Sequence, residues 1–97
     1  MVTWEQELPL MRAVVEEWTA ELARTSPAPR GLAAELHPDS APRGPWSWFL
    51  WLELDGLELQ AFLSWETGTA TFEDAEGWFE DRVSFADVPE YVRRRRA

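Results

Sequence analysis

Carboxylates are the main chemical resource of this chain. It carries 18 of them against one histidine, with no cysteine and no lysine. Paired acids can serve as general acid and base, or hold a cation or a partner's arginine. Two groups invite that reading. Glu53 and Glu58 flank an Asp-Gly dipeptide at matched distances, and Glu73, Asp74, Glu76, Glu80 and Asp81 crowd around Gly77. The second group lacks the alternate-position ligands and closing Glu of an EF-hand loop, so it reads as a solvated acidic face or a dock for a basic protein. Glu53 and Glu58 next to an exposed turn read most simply as solvated acids. His37 sits beside Pro38, and nothing in the chain supplies a thiolate or amine to work with it. No catalytic residue, metal or cofactor is expected. A glycosidase-like pair needs a cleft deeper than about 100 residues usually build.

Charge is distributed unevenly. Arg93 to Arg96 are four of the nine basic residues, so residues 1–92 hold 18 acids against 5 arginines, a net −13. From Gly44 to Asp81 there are nine acids and no base. Such a surface repels nucleic-acid phosphates and anionic membranes and attracts basic proteins. The plainer reading is that net charge keeps a small protein soluble. Four terminal arginines on an acidic body suit a helix C-terminus better than a nucleic-acid site. Absent cysteine excludes disulfides and thiolate metal sites, and no apolar run approaches the roughly 20 residues of a membrane helix. The N-terminal segment has no signal-peptide pattern, and a reducing cytoplasm is the expected location. All-arginine basic residues with abundant Ala, Pro, Gly and Trp fit GC-rich, bacterial-type coding.

The elements that must position these groups follow from periodicity. Pro9 suits a first helical position. From it Leu10, Val14, Trp18 and Leu22 recur at i, i+4, with Met11 and Val15 beside them, predicting a helix over Pro9–Arg24. A capping box at Thr3 and Gln6 would start it earlier but would leave Pro9 inside. Thr25–Gly31 and Pro38–Pro45 read as loops, and Leu32–His37 alternates weakly as a first strand. Trp46–Trp65 then reads as a hairpin closed by a type I′ turn at Asp55-Gly56. That turn pairs Leu54 with Leu57, Leu52 with Leu59, Leu50 with Ala61, Trp48 with Leu63 and Trp46 with Trp65 on one face. The opposite face pairs Glu53 with Glu58, Trp51 with Gln60, Phe49 with Phe62 and Ser47 with Ser64. A third strand, Thr69–Glu73, adds Ala70 and Phe72 to the first face and Thr71 and Glu73 to the second. Asp74–Gly77 is a turn, Trp78–Phe85 carries a fourth strand, and Asp87, Pro89 and Glu90 start a short helix with a capping-box pattern. The expected fold over 1–97 is a two-layer α+β domain. Its N-terminal helix packs on a three- to four-stranded antiparallel meander, and a short C-terminal helix follows.

This register leaves one candidate site: Phe49, Trp51 and Phe62, ringed by Glu53, Glu58, Gln60 and Glu73. Aromatics anchor protein interfaces, and surrounding acids select basic partners. The leading expectation is therefore a small acidic protein-binding domain, such as an inhibitor or immunity-type neutraliser of a basic protein. A homodimer through the same face is the alternative, and sugar stacking on Trp46, Trp51 or Trp65 is a third. Against all three stands the competing arrangement in which the second helix or the Leu32–His37 strand covers this face, making its aromatics ordinary core.

Overall fold

The computed structural model describes residues 4–38, 47–73 and 80–96. Helix α1 spans Trp4–Ala23. It begins five residues before the start that Pro9 suggests, and Pro9 lies inside it. An interior proline forfeits a backbone hydrogen bond and costs about 3 kcal/mol. Here the carbonyl deprived of its donor belongs to Glu5, and both Glu5 and Pro9 are exposed, so water can take that carbonyl. The first turn is held from outside the helix. Trp48 Nε1–H donates to Glu7 Oε1 at 3.0 Å in the core, and Leu8 packs against the same cluster. The buried stripe accordingly runs through Glu7, Met11, Val15, Trp18 and Leu22. Leu10, the expected start of that stripe, is 45% exposed, because the helix is rotated to bring Glu7 and Met11 inward.

The sheet has five strands in sequential order, all antiparallel: β1 (Ala33–Pro38), β2 (Ser47–Leu54), β3 (Leu57–Ser64), β4 (Thr69–Glu73) and β5 (Glu80–Ser84). That exceeds the three or four strands expected, because the weak alternation of residues 32–37 does form a strand at the sheet edge. Asp55 and Gly56 both adopt positive φ, 53° and 78°, as a type I′ turn requires. The register is the one the turn dictates, from Leu54 opposite Leu57 to Ser47 opposite Ser64. The expected Trp46–Trp65 pair and the turn over Asp74–Gly77 lie outside the described residues, wholly or in part.

After a short 3-10 turn (Phe85–Asp87), helix α2 covers Val88–Arg96. The expected capping box is not built, since other side chains take both acids. Ser84 Oγ–H donates to Asp87 at 2.9 Å, and the Glu90 carboxylate turns forward to Arg93 at 2.6 Å and Arg94 at 3.4 Å. Those arginines hold the Glu90 carboxyl below its ordinary value, the Arg93 hydrogen bond contributing most. Val88 and Val92 are buried in the same cluster as Trp48, Leu50, Leu59, Leu63 and Phe72, and the Tyr91 ring lies 4.6 Å from Phe72. Both helices therefore pack on the Leu/Trp face, giving two layers: helices on one side, sheet on the other. Among the described residues no helix is long and apolar enough to cross a membrane.

Candidate functional site

With both helices on one side, the opposite sheet face is covered by neither. Its composition follows from the register. One row crosses all five strands as His37, Phe49, Phe62, Thr71 and Arg82, and the next runs as Glu35, Trp51, Gln60 and Glu73 across β1 to β4. Nearer the hairpin turn lie Ala33, Glu53 and Glu58. The face thus presents an aromatic centre within a field of carboxylates. All seven candidate residues (Phe49, Trp51, Glu53, Glu58, Gln60, Phe62 and Glu73) are on it together. The covering arrangement does not occur: β1 extends the sheet sideways, and α2 docks on the other face.

Phe49, Trp51 and Phe62 are half-buried, and none belongs to the core cluster or packs against it. Phe49 and Phe62 meet edge to face with ring centres 5.7 Å apart, a favourable geometry for two aromatics on neighbouring strands. Trp51 differs from the two core tryptophans in how it uses its indole. Trp18 Nε1–H donates to the Phe85 carbonyl at 3.0 Å, and Trp48 to Glu7. Among the described residues the Trp51 N–H meets no acceptor. An amphipathic ring with a free donor is the usual equipment of a contact surface.

Glu53 and Glu58 stand directly opposite each other, the first half-buried and the second exposed. Like charges in that position oppose pairing, and among the described residues neither meets a base. Sequence reasoning missed Glu35 and His37 as members of this face, since they join it only through β1. His37 Nε2 lies 3.6 Å from Glu35 Oε2, and both are well exposed. The faint alternation of residues 32–37 was the available signal. No group of three or more His, Asp or Glu among the described residues is placed to hold a metal ion.

A second polar cluster is structural. Asp55 Oδ1 accepts the Arg30 backbone N–H at 2.7 Å, and Asp55 Oδ2 accepts Arg96 Nε–H at 2.7 Å. Arg96 also donates to Thr25 Oγ1 at 2.9 Å and to the Pro27 carbonyl at 3.0 Å. These bonds, Arg30's first and Arg96's second, hold the Asp55 carboxyl below its ordinary 3.8. One arginine of the terminal run thus acts as a clamp between α2, the 25–30 loop and the hairpin turn.

Comparisons with protein-family models, with curated proteins and with solved structures return no match.

Proposed function

We propose that this chain is a small acidic domain that binds a basic partner protein through its outer sheet face, in the manner of an inhibitor or immunity-type neutraliser. The observation that carries this reading is the face that neither helix covers, centred on Trp51, whose indole donor has no acceptor among the described residues. Half-buried aromatics at the centre supply contact area that is already ordered, and so little further entropy is lost on binding. Glu35, Glu53, Glu58 and Glu73 around them attract a basic protein and repel an acidic one. The domain then acts by occupying its partner, with no bond made or broken. A cysteine-free chain suits a reducing cytoplasm.

Charge also favours a foreign partner over a second copy. Packing two such faces together would bring the acids of both copies into one interface, where like charges are costly. Sedimentation at micromolar concentration should therefore give a monomer. Low-salt capture from the native host should recover a basic protein, and its binding should weaken steeply with salt. Trp51→Ala and Glu58→Arg should each lose that partner. Recovery of no basic protein, or undiminished capture by both variants, would count against the proposal.

A further inference from the structure

The outer edge of β1, where no described strand pairs, offers a more specific docking mode. In an antiparallel ladder, backbone groups point alternately to the two neighbouring strands. The type I′ turn makes Leu54–Leu57 a hydrogen-bonded pair, so Leu54, Leu52 and Leu50 direct their N–H and C=O groups toward β3. Glu53, Trp51 and Phe49 direct theirs toward β1, where they face Ala33, Glu35 and His37. The N–H and C=O groups of Ala34 and Leu36 consequently point away from the sheet, at the edge where no described strand pairs.

The side chains of those same two residues lie on the helix side, opposite Leu52 and Leu50. In the central strand β3 the helix-side residues Leu59, Ala61 and Leu63 are buried, whereas Ala34 and Leu36 are only half-buried. Between them and α1 runs an open groove of about 650 Å³, whose helix wall is formed by Val15, Ala20 and Ala23 together with Arg12, Glu16 and Thr19. Unused ladder groups and an unfilled groove with an apolar floor of Leu32, Ala34 and Leu36 therefore coincide at one strand. The other edge lacks this combination: by the same alternation β5 points Arg82 backbone groups outward, and its cation would repel a basic strand.

We propose that β1 receives an extended segment of the basic partner as an added antiparallel strand. This rests on the reading of a basic partner and specifies how it docks. A strand placed about 4.8 Å beyond β1 would alternate its side chains between the two faces. Those opposite Ala34 and Leu36 enter the groove and are apolar. Those opposite Ala33 and Glu35 lie on the outer face and are arginine or lysine, beside Glu35 and Glu53. The recognised sequence is thus an alternation of apolar and basic residues.

The test uses a synthetic peptide alternating valine and arginine, and the same peptide N-methylated at its valines. Methylation removes the donors that would face β1 and leaves charge intact. The first peptide should bind at low salt and slow the exchange of the Ala34 and Leu36 amide protons at least roughly tenfold. N-methylation should weaken binding by about tenfold or more, the loss of one to two hydrogen bonds' worth of affinity. Ala34→Pro should do the same, since it deletes a donor that the domain's own ladder does not use. If the methylated peptide binds equally and quenches Trp51, edge pairing is overturned while the face reading stands. If neither peptide binds, edge recognition falls, and the low-salt capture experiment alone decides the face. If the free chain sediments as a dimer with those amides already protected, a second copy holds the edge and the inference is wrong.

Discussion

Replacing Trp48 by phenylalanine tests why α1 starts where it does. The substitution keeps an aromatic ring in the core but removes the donor to Glu7, whose side chain lies in a residue only 4% exposed. Leaving that buried acceptor unpaired costs about 1–3 kcal/mol. The smaller ring opens a void worth roughly another 1–2 kcal/mol. The total, about 2–5 kcal/mol, is a large part of the roughly 5–15 kcal/mol that stabilises a domain. It should appear as a matching drop in urea-unfolding free energy and a fall in melting temperature of about 4–8 °C per kcal/mol. Glu7→Leu alone strands the indole N–H instead, again at about 1–3 kcal/mol. The double variant has neither orphan. It should be less destabilised than the sum of the singles by both orphan penalties together, about 2–6 kcal/mol. Additivity to within about 0.5 kcal/mol would refute the claim that this bond anchors the first turn. Hydrogen exchange gives a second check: in Glu7→Ala the Leu8 and Leu10 amides should lose protection while that of Leu22 keeps it.

Trp51→Ala should cost well under the roughly 3–5 kcal/mol of a core tryptophan truncation, and thermal melts of Trp51→Ala beside Trp48→Ala would show the gap. Gly56→Ala should cost about 1 kcal/mol through its positive φ alone, since nothing crowds a new Cβ there; chemical denaturation measures it. Asp55 contributes stability above its unfolded value of 3.8 that is lost as pH falls through its lower folded value. Asp55→Asn should therefore flatten the stability profile below about pH 4, while Arg96→Met flattens it in the same window; an unchanged acid limb in both would reject the clamp.

The hairpin was legible because its information is local. Asp55-Gly56 sets a register, and the register sorts sixteen strand positions, Ser47–Leu54 and Leu57–Ser64, into two faces. The start of α1 was not, because Pro9 is a strong local stop signal and Glu7 is a glutamate on an expected surface. What outweighs the proline is a partner 41 residues away. Strand β1 gave only faint alternation, as suits an edge strand with three exposed polar or proline positions, Glu35, His37 and Pro38. The side taken by α2 was equally hidden. Val88 and Val92 announce an apolar stripe, but no local rule says which layer it seeks. The candidate face could be listed from sequence; that neither helix covers it depended on this choice.

The Asp55 clamp has a consequence for the order of events in folding. Arg96 reaches Asp55 across 41 residues of chain and Thr25 across 71. Such contacts reward the chain only after the hairpin turn, the 25–30 loop and α2 have each been placed. They belong to the native side of the folding barrier. Breaking them should leave the refolding rate nearly unchanged and speed unfolding by almost the whole loss in equilibrium stability. A contact that looks like surface decoration would then set how long each folded molecule lasts.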